Sequence, residues 1–535
     1  MNHVRLYGPL ITLLDLLLLL PETGFTEARR DQGTPRPIAS PTPPVETDDD
    51  VIRIKTNLVQ LDVVAVDDKG QQVTGLAASD FKITDNGREH TPEFVTYVSL
   101  ARSSANTSPI AGHPSAEQLG RVFVFVVSNP VINLAFSAPA SGGGAPRSGT
   151  ISNLPTAARA ADSAQTLLSW FVNTQMTSAD LAAIASTEVD LGILSSFTND
   201  RVVLDAAMKR TREAVRQQSA TSVTAVGREV QLQSLVKLNL RVMETLENVI
   251  KQVEMLPGRK VVTLLSGGLL YHPQLPYFQT ISERLDRLIK RANEAQIAIY
   301  TLHTRDLDLR GRFRGNDALI QLAQRTGGQA IYATNDLRFE FERIVEENRG
   351  YYLLSYNPGA DLEGRPANLQ VRVMRKDVKV LSRSEGFVQK TITAKNRLSA
   401  NPFASPLSAN EIGLSLSPEM ANRGQVITSC RLDLSNVTVR SREDGRQDFS
   451  LQLSIRVAGP DGRDFKQAER DLSFNVSGAE LESARRDGVL TTFTFASEKP
   501  GFYRISVAVR DNYSGKIGNS RVFYEVNRKD LSAFK

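Results

Sequence analysis

Four side chains offer the best prospect of covalent chemistry in this sequence: Ser128, Ser266, His272 and His303. Each falls at or just beyond the end of an expected β-strand. A serine hydroxyl beside an imidazole base is therefore geometrically conceivable, and such a pair would serve acyl transfer. The neighbouring residues argue against it. Ser266 is followed by Gly267-Gly268 and lacks the Gly-x-Ser-x-Gly elbow that strains and exposes a hydrolase nucleophile. Thr326-Gly-Gly328 comes late in the chain, with neither the lysine nor the spacing of a phosphate-cradling loop. Metal chemistry is poorly supplied too. Five histidines and a single cysteine, Cys430, allow no internal disulfide and no Cys-based zinc or iron–sulfur site. Lys and Arg number 64 against 59 Asp and Glu, and a net charge of +5 does not by itself indicate a nucleic-acid partner. The expectation is a protein that is not an enzyme, uses no cofactor and has no catalytic or metal-ligating residues. A serine hydrolase is kept as the remote alternative.

The elements that would position these residues fall into several units. At 535 residues the chain is long enough for about three to four domains, and its 41 % hydrophobic and 23 % charged composition is globular. Arg5 and the apolar run from Leu10 to Leu20 have the pattern of a secretory signal peptide, assigned to residues 1–28. The run is short for a bilayer span and is broken by Asp15, which leaves a retained anchor as the second reading. No cysteine follows it, so a lipoprotein anchor is excluded. Leu20-Pro-Glu-Thr-Gly24 has the form of a sortase signal at the wrong end of the chain, which reads as coincidence. Residues 29–50 form a Pro- and Asp-rich linker. Residues 51–100 alternate with period two and contain Asp85-Asn-Gly87, a strong hairpin signal, so a small β-domain is expected. A second linker covers 101–119.

Residues 120–349 change to alternating strand and helix. Val122 to Val127 is a continuous apolar run of the kind buried on both faces of a parallel sheet. Helices are expected over 158–172, along Val242, Leu246, Val249, Ile250 and Val253, after a Thr280/Glu283 capping box, and around Leu319 to Ala323. Strands are expected at 181–187, 189–197, 261–265, 297–302 and 329–333. The pattern predicts a doubly wound, mostly parallel sheet. Residues 350–390 read as a β extension of that domain, 391–410 as a linker and 411–535 as an all-β sandwich with turns about every ten residues. The stretch from Arg365 to Arg397 holds nine Lys or Arg against two acids and reads first as a solvated strand face, with an anionic cell-surface polymer as the alternative.

Several phrases then match a known family. They are Leu58-Val-Gln-Leu-Asp-Val-Val64 with Val73-Thr-Gly-Leu76, Phe197-Thr-Asn-Asp-Arg201, Leu256-Pro-Gly-Arg-Lys260, Thr334-Asn-Asp-Leu337, Tyr352-Leu-Leu-Ser-Tyr-Asn-Pro358, Gly501-Phe-Tyr-Arg504 and Val509-Arg-Asp511. In order and spacing the chain resembles secreted von Willebrand factor A-related proteins abundant in acidobacteria. The resemblance implies a Rossmann-like A-type domain flanked by an N-terminal small β-domain and a C-terminal Ig-like β-sandwich. It also implies a metal-ion-dependent adhesion site of Asp-x-Ser-x-Ser after the first strand, a distant Thr, and an Asp after the fourth strand. Here Ser128, Pro130 and Ile132 stand at the first motif and Ser266 at the second Asp, while the Thr is not placed by the sequence, Thr221 and Thr224 being no more than candidates. Mg²⁺ needs carboxylate oxygens to offset its dehydration, so no divalent ion is expected there.

The same edge supplies the partner-binding candidates Ser128, Asn129, Ser266, Tyr271, His272, Tyr277, Phe278, Arg310 and Arg312. A Gly-rich insertion, 137–152, follows the first strand and could be a recognition loop or surface padding. The aromatics from Tyr271 to Phe278 suit a protein interface or a lid packed over the sheet edge. The arginines after the fifth strand suit an acidic partner or plain solvation. The sequence thus reads as an exported binding protein contacting a protein or cell-surface glycan, with a ligand-free structural component of the envelope or periplasm as the alternative.

Overall fold

The computed structural model describes residues 59–100, 115, 119–128, 154–220, 228–269, 271, 273, 277–303, 316–332, 334, 336–357, 367–382, 385–386, 402–403, 405–421 and 424–531. The signal segment, the first linker, the 137–152 insertion and the arginine loop after the fifth strand lie outside them.

The first antiparallel strands are β1 (Val59–Val66), β2 (Phe81–Asp85), β3 (Arg88–His90) and β4 (Phe94–Ser99). The Asp85-Asn-Gly87 hairpin forms as expected: Asn86 and Gly87 both take positive φ, and Asp85 pairs with Arg88.

A mixed α/β unit follows. Its strands are β5 (Arg121–Ser128), β6 (Leu181–Ser186), β7 (Arg259–Ser266), β8 (Ile297–His303) and β9 (Ala330–Ile331). They form one wholly parallel sheet in the order β6-β5-β7-β8-β9. Every residue of β5 and β7 is buried, as a strand covered on both faces requires. The helices are α1 (Leu154–Trp170), α2 (Arg201–Ala220), α3 (Arg228–Val253), α4 (Phe278–Glu294), α5 (Asn316–Arg325) and α6 (Leu337–Glu347). Phe123, Phe125 and Val127 face a core shared with α1, α2 and α6. Val122, Val124 and Val126 face the opposite core, shared with α3, α4 and α5. Among the described residues, no helix is long and apolar enough to cross a membrane.

Local chemistry fixes the α5–β9 corner. Gly327 ends the helix with φ +77°, and a methyl on Gly328 would collide with the Ile299 carbonyl oxygen of β8. Thr326 Oγ1 accepts from Ile299 N at 3.1 Å and donates to Leu322 O at 2.7 Å. Gly328→Ala is therefore expected to cost about 1–3 kcal/mol through overpacking. Urea unfolding followed by the fluorescence of Trp170, the chain's one tryptophan and part of this unit, checks it.

The next strands correct the domain assignment. β10 (Gly350–Tyr356), β11 (Ala367–Val373), β12 (Lys379–Leu381) and β13 (Glu385–Gly386) pair with β1–β4 and do not extend the parallel sheet. The two sheets run β12-β1-β10-β4 and β13-β11-β2-β3. β10 lies between β1 and β4, so residues 51–100 alone lack the central strand of their own sheet. Phe81, Ile83, Tyr352, Leu354, Tyr356 and Leu369 share the resulting core. The α/β unit is inserted between β4 and β10.

The C-terminal region places β14 (Leu414–Met420), β15 (Gln425–Leu432) and β19 (Val489–Ala496) in one antiparallel sheet. The other holds β16 (Arg440–Ser441), β17 (Gln447–Ala458), β18 (Asp464–Val476), β20 (Gly501–Asp511) and β21 (Ile517–Val526). Both sheets contribute to one core, including Val426, Leu432 and Phe495 from the first and Leu451, Ile505 and Val507 from the second. The region is not all β. α7 (Gly478–Asp487) intervenes, started by a capping box in which Ser477 Oγ accepts from Glu480 N while Glu480 accepts from Ser477 N. A short α8 (Arg528–Leu531) ends the described chain.

Three further expectations need correction. Residues 189–197 do not form a strand. Gly192–Ser195 is a 3₁₀ turn whose Leu191, Ile193 and Leu194 are buried with α2 residues, and only Thr198 bridges back to Ala182. Thr280 caps nothing, because α4 begins one turn earlier at Phe278, although its apolar face of Ile281, Leu285, Leu288 and Ala292 is buried as expected. The later part of the 391–410 linker is packed: Leu407 is buried with the α3–α5 core, and Asn410 bridges to Gly518.

Candidate functional site

In a doubly wound sheet, ligands collect beyond the carboxyl ends of the strands where the winding reverses. Here that point lies between β5 and β7, because the chain passes from β5 out to β6 and returns on the other side to β7. Ser128 and Ser266 are the last residues of these strands and are partners in register. Ser266 is in turn in register with His303 at the end of β8. The structure thus brings together three of the sequence-selected residues.

Their environments define what they can do. Ser266 is fully buried, and its Oγ is tied to Gly268, accepting from the amide at 3.2 Å and facing the carbonyl at 3.3 Å. That pairing turns the hydroxyl inward to stabilise the turn after β7, with Gly268 at φ +119°. Ser128 is also buried, and its Oγ has no hydrogen-bond partner among the described residues. Two neutral hydroxyls stand where a divalent cation would need carboxylates. These residues do not fit the metal that the family resemblance implies.

The aromatic candidates pack down. Tyr271 and Tyr277 lie against the α3–α5 core, and the Tyr271 and Phe278 ring centroids are 4.9 Å apart. The Tyr271 hydroxyl is 3.2 Å from Ser282 Oγ, which fastens the segment to the start of the second turn of α4. This favours the lid over the free interface. Asn129, His272, Arg310 and Arg312 lie outside the described residues. Cys430 is buried in the C-terminal core, where desolvation pushes its thiol up to about 12, so it carries no thiolate chemistry near neutral pH. Among the described residues, no group of three or more His, Cys, Asp or Glu is placed to hold a metal ion.

Sequence reasoning missed one polar centre. Glu347, the last residue of α6, is buried beside the antiparallel sheets. Its Oε1 accepts from Gln329 Nε2 at 2.9 Å and Arg343 Nε at 3.3 Å, and its backbone carbonyl accepts from Gln72 Nε2 at 2.8 Å. Burial pushes its carboxyl up to about 7 despite Arg343. An amphipathic helix end gives no sequence signal that another sheet will cover it.

No family model matches the chain, and no curated protein matches it. Among solved structures, it is similar to a calcium-binding mutant of Bacteroides uniformis β-glucuronidase 2 at 14 % identity and a TM-score of 0.13, covering 22 % of this chain and 13 % of that one. A second Bacteroides uniformis β-glucuronidase structure is 13 % identical with a TM-score of 0.13, covering 33 % of this chain and 19 % of that one. The chain thus spans less than a fifth of these enzymes, and likeness at that level carries no argument about function. What stands is the class: a mixed α/β protein with a five-stranded parallel sheet and several antiparallel sheets.

Proposed function

We propose that this is an exported, non-enzymatic binding protein. Its parallel-sheet unit would be a degenerate von Willebrand factor A-like domain that holds no divalent ion, and the C-terminal sheets an Ig-like sandwich. Loops at the carboxyl ends of the parallel strands contact a protein or cell-surface glycan, while the antiparallel units act as spacers or secondary contacts. The observation that carries this reading is the in-register pair Ser128 and Ser266 at the switch point, where the family pattern calls for Asp. Contact then depends on loop shape and hydrogen bonding, with no bridging cation. The tie between Ser266 and Gly268 also argues against a poised nucleophile.

Isothermal titration with Mn²⁺ or Mg²⁺ tests the central point. No saturable heat is expected at micromolar concentrations, and a saturable one overturns the reading. Binding to a panel of envelope polysaccharides and secretome proteins is expected to fall when 137–152 is deleted. Fluorophosphonate labelling that disappears in Ser266→Ala would establish a hydrolase instead.

A further inference from the structure

A second place in the molecule has the makings of a ligand site, well away from the switch point. The turn at Gly192–Ser195, the last turn of α3 with Met255 and Leu256, and residues Phe403, Ser405, Pro406 and Leu407 meet the outer face of β20 and β21. Between them lies a cleft of about 430 Å³, within the usual range for small-molecule pockets. Leu256 precedes β7 and Thr198 bridges to the second residue of β6, so the cleft flanks the amino-terminal half of the sheet.

Its lining is unbalanced in charge. Arg504, Arg521 and Lys251 line the cleft, and among the described residues no carboxylate does. Asp464 reaches Arg504 only at 3.5 Å. Ser506 on β20 is in register with Arg521 on β21, and alternation places Arg504 on the same sheet face. This face of the C-terminal layer is covered: Phe502, Phe523 and Ala458 join the core of the α/β unit, and Phe403 lies over the Arg456 guanidinium at 4.5 Å. Arg521 Nη2 donates to Ser405 O at 3.2 Å, but its buried Nε has no partner among the described residues. Arg504 Nη1 approaches Ser196 Oγ at 3.4 Å. Desolvation, with repulsion from Arg504, pushes the Arg521 guanidinium well below its ordinary range. Asp464 is the one carboxylate that the described residues set against these two neighbouring guanidiniums, and a bound oxyanion adds charge compensation and an acceptor for the unpartnered Arg521 Nε–H. Phe403, Pro406 and Met255 supply an apolar wall opposite.

We infer that this cleft binds a small organic anion, with its carboxylate or phosphate head between Arg504 and Arg521 and its apolar body against Phe403, Pro406 and Met255. The site is independent of the carboxyl-edge loops, so it stands whether or not those loops bind a partner.

Calorimetry on the full chain with benzoate, phenyl phosphate, inorganic phosphate and uncharged benzyl alcohol tests the inference. At least one of the two aryl anions should bind with one-to-one stoichiometry and raise Tm, and the stronger of them identifies the head group. Benzyl alcohol should not bind, and inorganic phosphate should bind more weakly than phenyl phosphate. Arg521→Met should weaken binding about tenfold or more. Arg504→Ala, at the rim, should do the same and keeps the test decisive if Arg521→Met does not fold. The inference fails if neither aryl anion binds by about 1 mM, if benzyl alcohol binds equally well, or if affinity survives both substitutions.

Discussion

Asp180→Ala should destabilise the α/β unit by about 3–5 kcal/mol, the usual cost of stranding one member of a buried ion pair. Asp180 is buried just ahead of β6, and Arg121 is buried at the start of β5. Asp180 Oδ1 accepts from Arg121 N at 3.1 Å and Nε at 3.0 Å, and Oδ2 accepts from Nη2 at 2.8 Å. Thr177 adds its amide and its hydroxyl, at 2.9 and 3.0 Å, to Oδ2. The carboxylate therefore gathers five donors at the amino-terminal edge of the sheet and couples β5 to its neighbour β6. Removing it leaves a buried guanidinium beside the Phe123 ring, at 5.0 Å, with Gln175 O at 3.3 Å as its remaining acceptor among the described residues. Arg121→Met combined with Asp180→Leu should recover most of the loss, since a matched apolar pair has no charge to desolvate. Urea midpoints read from Trp170 for wild type, Arg121→Met, Asp180→Leu and the double variant give the coupling energy. A single-variant loss below about 1 kcal/mol would mean that water reaches the pair.

The parallel sheet was legible because its signals are local. Val122 to Val127 is apolar without a break, and only a strand covered on both faces tolerates that. Asp85-Asn-Gly87 fixes its hairpin through backbone geometry alone. The corrected expectations have two causes, contacts made far along the chain and local turn or cap chemistry that competes with the strand pattern. Residues 189–197 alternate like a strand, but Asp190 Oδ1 accepts from Gly192 N at 2.8 Å to form a turn, and the Pro460 carbonyl accepts from Ile193 N at 3.2 Å. β10 carries a clean period of two that cannot say which strands it joins, and its partners β1 and β4 lie more than 250 residues earlier. Ser477-Gly-Ala-Glu480 was a readable capping box inside a region otherwise patterned for strands. At the switch point, sequence placed Ser128 and Ser266 correctly because strand ends are predictable. The cleft arginines look like outward residues of a sandwich strand, and nothing in sequence marks that face as covered.

The pH dependence of stability should carry the signature of Glu347. Its carboxyl titrates near 7 in the folded chain, against 4.5 for the free group, because burial outweighs help from Arg343 and Gln329. Between about pH 4.5 and 7 the folded state holds a proton that the unfolded state has released, so stability falls as pH rises through this window. The limiting size is about 3 kcal/mol, reached above pH 7. Glu340, two helical turns earlier, pushes in the same direction as burial and is paired with Arg343 at 3.4 Å. Glu347→Gln keeps the shape and can keep the bond from Gln329 without ever ionising. The variant should therefore match wild type near pH 4.5 and exceed it near pH 8. Trp170 reports on the event because its ring meets Phe341 of α6 at 6.3 Å, one and a half turns before Glu347. Parallel stability curves for the two proteins across that range would show that Glu347 ionises at an ordinary pKa with water at its Oε2, and would remove the buried-acid account of this junction.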